Sequence, residues 1–180
     1  MRSPPRHLGV NAGERGASFL VGSLLAAGLA GAALPQSSIA SAQMASPFAN
    51  FEGRWTGSGE VIGVDGNRER IRCRASYELS ENGGALTQAL LCASASYRVD
   101  VSSYVVVNGQ TADGYWSEKT RQVQGKLTGR IADGQFEGLV TGPAFTAQLL
   151  LKATGGKQTV DIKPQGANIA EVEVELSRAN

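Results

Sequence analysis

The chain has 180 residues, with 17 basic and 16 acidic side chains and a formal net charge of +1. Near-neutrality argues against a nucleic-acid partner, which would need a basic face. The one histidine is His7, close to the N-terminus, so little histidine chemistry is available to a domain formed further along.

Residues 1–42 read as a cleaved secretory signal. Arg2, Arg6 and Arg15 give the basic start, Phe19 to Leu34 the apolar stretch, and Ala40-Ser41-Ala42 the small-x-small cleavage site. The apolar run is about 16 residues, short of the roughly 20 that span a bilayer. No cysteine stands at the cleavage site to carry a lipid. Removal of the leader leaves 138 of the 180 residues, enough for one domain. Arg2, Arg6, Arg15 and Glu14 go with it, so 17 basic residues become 14, 16 acidic become 15, and the net charge becomes −1. The expected organisation is a flexible segment over 43–50 and a folded domain over 51–180. The expected location is periplasmic or secreted, with no transmembrane span after cleavage.

The strand Gly53–Gly63 comes first. Arg68 to Leu79 then alternates, with Ile71, Cys73, Ala75, Tyr77 and Leu79 on one face and Arg68, Arg70, Arg72 and Arg74 on the other. Period two is the mark of a strand with one buried face. Asn82-Gly83 predicts a tight hairpin turn, since its central positions need positive φ. Folding there pairs residue 73 with residue 92, the positions of the two cysteines, Cys73 and Cys92. One structural disulfide follows, as an oxidising compartment favours. Counting outward from a two-residue turn puts that pair at a hydrogen-bonded site, where side chains stand farther apart.

Further strands are expected at Ala85–Ala95, Tyr97–Val107, Tyr115–Val123, Lys126–Ile131, Gln135–Thr141, Ala144–Lys152 and Gln158–Lys163. Ala170 to Arg178 closes the series, with Val172, Val174 and Leu176 opposite Glu171, Glu173 and Glu175. Turn residues such as Asn108-Gly109, Asp133-Gly134 and Gly155-Gly156 separate them. No segment has helical periodicity. The fold class is therefore all-β: a single antiparallel up-and-down β-barrel of eight to ten strands, with a sandwich as the alternative. Closure removes sheet edges.

The opening Gly53-Arg54-Trp55 and the late Arg178 resemble the two ends of the calycins, the lipocalins and fatty-acid-binding proteins. The resemblance implies that Trp55 and Arg178 meet as barrel-closing residues on neighbouring first and last strands, as a cation–π pair. More broadly, the chain is similar to small exported lipocalin-like barrels of proteobacteria.

Catalysis finds little support. Triads that need histidine cannot be built without His7, and the cysteines are committed to each other. Zinc sites of the Cys/His type fall for the same reason, and no calcium loop or phosphate-cradling loop is present. No cofactor or metal is expected. The Glu171, Glu173 and Glu175 row reads as a solvated face. Arg68, Arg70, Arg72 and Arg74 form a positive ridge, either a dock for an anionic envelope partner or a wet face paired with carboxylates such as Glu60.

The function expected is a non-enzymatic barrel that binds a small apolar or amphipathic ligand. Tyr97, Arg98, Tyr104, Tyr115, Trp116 and Arg121 are the candidate ligand-binding residues, chosen as the mid-chain aromatic and cationic side chains. The alternative is a cell-envelope interaction module resembling the small barrels that inhibit proteases or lysozyme. A hollow lumen favours the first, and a packed barrel with a protruding N-terminal segment favours the second.

Overall fold

The computed structural model describes residues 45–179. The leader expected over 1–42 lies outside them. Ten antiparallel strands form one closed up-and-down barrel: β1 (Gly53–Gly63), β2 (Arg68–Ser80), β3 (Ala85–Ala93), β4 (Arg98–Asn108), β5 (Thr111–Glu118), β6 (Val123–Ala132), β7 (Gln135–Thr141), β8 (Thr146–Thr154), β9 (Lys157–Gln165) and β10 (Ile169–Arg178). Each strand pairs with its chain neighbours, and β10 returns to β1, so no edge remains. The only helical element among the described residues is a 3-10 turn, Glu81–Gly83, and no helix is long and apolar enough to cross a membrane.

Alternation decides which side chains enter the barrel. On β2, Ile71, Cys73, Ala75 and Tyr77 are buried while Arg68, Arg70, Arg72 and Arg74 are exposed. On β10, Val174 and Leu176 are buried while Glu173 and Glu175 face solvent. Inward glycines let the wall bend. Gly129 and Gly138 face each other across β6 and β7, and a Cβ on either would come within 2.7 Å of the Phe136 ring edge. The ring takes the space that two missing side chains leave.

The hairpin after β2 keeps the expected register but not the expected turn. Cys73 faces Cys92 and the two are disulfide-bonded. The last pair, however, is Ser80 with Ala85, so the loop runs over 81–84 and not over Asn82-Gly83 alone. Glu81, Asn82 and Gly83 all have positive φ, at 53°, 56° and 86°. Lengthening the loop by one residue on each side leaves the register intact and reverses the hydrogen-bonding parity of every pair. The cysteine Cα atoms are 4.1 Å apart. That is the close, non-hydrogen-bonded spacing, about 4.5 Å in antiparallel sheets.

The strand expected over Tyr115–Val123 is interrupted: β5 ends at Glu118 and β6 begins at Val123, with a turn over 119–122. No glycine or proline marks this turn in the sequence. The Glu118 carboxylate organises it instead, accepting the backbone N–H groups of Thr120 (2.9 Å) and Arg121 (2.7 Å) within the turn and of Asp100 (3.0 Å) on β4.

The base of the barrel is closed by the chain that leads into it. The segment expected to be flexible over 43–50 is described from Ala45 onward, and it folds against the base. Ser46 donates to the Gly83 carbonyl (2.6 Å), and Phe48 and Phe51 are only 2% and 1% exposed. Trp55 points inward there, donating its indole N–H to the Phe51 carbonyl (2.7 Å). Arg178 lies opposite it in register, its guanidinium carbon 4.5 Å from the ring centroid.

Candidate functional site

The lumen is hollow. Inward residues enclose a cavity of about 480 Å³ that runs from a floor at Phe48 and Phe51 to an open end near Tyr97, Arg121 and Phe145. This volume is in the range that holds one small molecule. The walls are almost wholly apolar, with Leu90, Val101, Val140, Leu149, Leu151 and Val160 among them. Each of these points inward yet is only half-buried. Their remaining exposure is to the lumen, because large side chains from the facing walls do not meet across it.

Polar groups interrupt this surface at two levels. At the mouth stands the Glu118–Arg121 pair. Glu118 is 5% exposed, and the Arg121 Nη1 lies 3.6 Å from its carboxylate. Burial alone would push the Glu118 carboxyl up, but the N–H donors of Asp100, Thr120 and Arg121 outweigh it and hold the pKa down at about 2. The mouth is thus charged but internally balanced. Tyr97 is set on the same rim by a second turn, in which the Ser94 hydroxyl accepts the N–H groups of Ser96 (3.2 Å) and Tyr97 (2.9 Å).

Deeper in, Tyr77, Gln88, Ser103 and Trp116 follow one another in register across β2, β3, β4 and β5. Ser103 donates to Gln88 Oε1 (2.7 Å), and Gln88 Nε2 lies 3.4 Å from the Tyr77 hydroxyl. From the far wall, Gln158 donates to the same hydroxyl (2.8 Å). Burial pushes the Tyr77 hydroxyl up to about 12, against the pull of the two glutamine amides. It is neutral at any physiological pH.

The six sequence-chosen candidates divide evenly. Tyr97, Trp116 and Arg121 line the cavity. Tyr104 and Tyr115 do not: they stand on the outer face, their rings 5.7 Å apart, and Tyr115 is 62% exposed. The Tyr104 hydroxyl donates to Glu81 (2.6 Å), whose carboxylate raises the Tyr104 pKa. Arg98 is also exposed and offers only its carbonyl, 3.4 Å from Arg121 Nη1. Residue type selected these three, and strand parity excludes them. Ser103 and Val105 turn inward on β4, so Tyr104 turns outward, and Trp116 does the same to Tyr115.

Selection by type also missed Gln88, Ser103, Glu118 and Gln158. Each is a polar residue at an inward position of an otherwise apolar row, as Ser103 is between Val101 and Val105. That pattern is readable from sequence once parity is applied.

The outer face carries the remaining charged candidates. Arg68 forms an ion pair with Glu60 (2.8 Å), while Arg70, Arg72 and Arg74 continue the exposed row. Asp161, Glu171 and Glu173 bring carboxylate oxygens within 4.8 Å of one another. Lys163 already lies against two of them, 3.5 Å from Asp161 and 3.0 Å from Glu171, and these contacts raise its pKa. Lys163 thus pairs with two of the three carboxylates.

No protein-family model and no curated protein matches the chain. Solved structures do. The S-type phycobiliprotein lyase CPES from Guillardia theta superposes with a TM-score of 0.52 at 12% identity, over 74% of this chain and 90% of that one. Rv2717c from M. tuberculosis superposes with a TM-score of 0.58 at 9% identity, over 76% of this chain and 99% of that one. At such identities the likeness is one of fold, that of a closed ten-strand up-and-down barrel.

Proposed function

We propose that the protein is an exported, non-enzymatic carrier that holds one small apolar or amphipathic molecule inside the barrel. The carrying observation is the open, apolar lumen of about 480 Å³. A barrel built only as a scaffold for surface contacts gains nothing from leaving inward leucines and valines unpacked, since each buried methylene contributes about 0.8 kcal/mol. The interaction-module reading asked for a filled barrel and a protruding N-terminal segment. The hollow interior and the burial of Phe48 and Phe51 in the base favour the carrier.

The exported location rests on the leader features of residues 1–42 and agrees with the disulfide. One structural neighbour is by name a lyase, so barrels of this form are compatible with catalysis. The non-enzymatic reading rests on this chain's own residues. Both cysteines are bonded to each other, the Tyr77 and Ser103 hydroxyls are bonded to glutamines, and Glu118 is paired with Arg121.

Native mass spectrometry of the protein exported in its natural host, or in a close relative of that host, tests the proposal. A retained adduct of a few hundred daltons that leaves on denaturation supports a carrier. A clean apo mass, together with failure of apolar dyes to enter the barrel, overturns it.

A further inference from the structure

Resting on the carrier reading, we propose that the ligand's inner end is a neutral oxygen function, a hydroxyl or carbonyl held by Gln88, Ser103 and Tyr77, and not a carboxylate. All three residues line the cavity and lie at one register level of adjoining strands. Their hydrogen bonds to one another leave capacity unused. Ser103 spends its proton on Gln88 Oε1, which leaves its lone pairs free. Gln88 turns one N–H toward Tyr77 and keeps the second. The Tyr77 hydroxyl receives amide N–H groups from Gln158 and Gln88 and still has its own proton to give. Donors and acceptors therefore face the lumen together, as a hydroxyl or carbonyl requires.

Outside the cavity lining, the glutamine that donates to the Tyr77 hydroxyl is itself short of a partner. Gln158 is 1% exposed, and its Oε1 has no hydrogen-bond partner among the described residues. Exchanging the two ends of the amide leaves the deficit in place, because the NH₂ group is then the one without a partner. Orphaned polar atoms at this depth are costly, so the hydrogen bonding behind Tyr77 is incomplete.

Charge decides which oxygen function fits. Among the described residues no cation lines the inner part of the cavity: Arg121 is the one basic lining residue, it stands at the mouth, and Glu118 already pairs with it. A carboxylate placed against Gln88 and Ser103 would lose its hydration with no counter-charge, which is far costlier than burying a neutral group. Turned the other way, it would meet an arginine whose charge is balanced. A neutral oxygen function pays neither penalty.

The test is displacement of N-phenyl-1-naphthylamine from the full chain by decan-1-ol, 2-decanone, decanoate and decane at matched free concentrations. The alcohol and the ketone are expected to bind about five- to ten-fold more tightly than the alkane, one or two neutral hydrogen bonds' worth. Decanoate is expected to be at least about ten-fold weaker than the alcohol. Gln88→Leu and Ser103→Ala, separately and together, should erase the advantage over decane while the dye itself still binds. Dye binding with decanoate as tight as decan-1-ol overturns the inference and leaves the carrier reading standing. So does an advantage untouched by both substitutions. Failure of the dye and every decyl compound to bind overturns the carrier reading itself. The wild-type series decides the charge question even if a variant does not fold.

Discussion

Arg178 holds three parts of the barrel base at once. Its guanidinium lies 4.5 Å from the Trp55 ring, donates to the Asn50 carbonyl (3.0 Å), and also donates to the Glu52 carbonyl. The last strand thereby fastens both the first strand and the segment that closes the floor. An arginine on the inward parity of an apolar strand is out of place unless paired. Here the pairing closes the barrel.

The first prediction concerns this pair. Trp55 is 1% exposed, so Trp55→Ala should cost about 3–5 kcal/mol in urea unfolding. Arg178→Ala should cost less, about 1–2 kcal/mol, since the side chain is exposed and its contacts are one cation–π and two carbonyl bonds. The double mutant should recover a coupling of about 0.5–1 kcal/mol. A Trp55→Ala cost near zero would remove the base-closure argument.

The disulfide supplies the second. Cys73 and Cys92 are 19 positions apart, and a loop of that size is worth about 3 kcal/mol in the chain-entropy account. Both side chains face the lumen, so Cys73→Ala with Cys92→Ala also removes buried surface. The double variant should unfold about 2–4 kcal/mol more easily, and adding reductant should lower the stability of the native chain but not of the variant. An equal response to reductant in both would show that the bond is not what stabilises the native chain.

How far the sequence reveals this molecule depends on what kind of signal each feature leaves. The strand succession and the Cys73–Cys92 register are legible because alternation, turn residues and a sequence-symmetric pairing all act locally. The 119–122 turn is not, because a buried carboxylate makes it, and neither glycine nor proline is needed when Glu118 supplies the acceptors. The lumen's polar level is hidden differently. Parity marks Gln88 and Gln158 as inward polar residues, but their shared partner emerges only when Tyr77 brings β3 and β9 to one hydroxyl. Hollowness itself depends on how far facing walls stand apart, which no single strand records.

The third prediction follows from that carboxylate. Its backbone N–H donors hold the folded pKa of Glu118 down at about 2, below the ordinary carboxylate value of 4.5. A depressed acid contributes stability that is present above the unfolded value and lost as pH falls through the folded one. Stability should therefore decline between about pH 4.5 and pH 2. In Glu118→Gln the decline over this window should be shallower, with the loss already present at neutral pH. Its size there should be about 1–3 kcal/mol, the cost of replacing a charged acceptor of backbone N–H groups. Parallel acid-unfolding curves for the two proteins would show that Glu118 is not the titrating group.

The fourth prediction separates the lumen from the fold. Leu149 on β8 faces Gly138 in register on β7, lines the cavity and is half-buried. In a close-packed interior, Leu149→Trp would be an overpacking change costing about 1–3 kcal/mol. Here the added ring has open space before it, so stability should change by less than about 1 kcal/mol, the tolerated end of core substitutions. The same ring occupies the volume a ligand would fill. Binding of N-phenyl-1-naphthylamine should therefore fall at least about ten-fold, the equivalent of 1.4 kcal/mol. A substitution on the outer face, such as Leu150→Trp, serves as control and should leave dye binding unchanged, since Leu150 is 41% exposed to solvent. If Leu149→Trp binds the dye as the native chain does, the dye sits outside the barrel. If it unfolds while Leu150→Trp does not, the interior is packed and the carrier argument loses its volume.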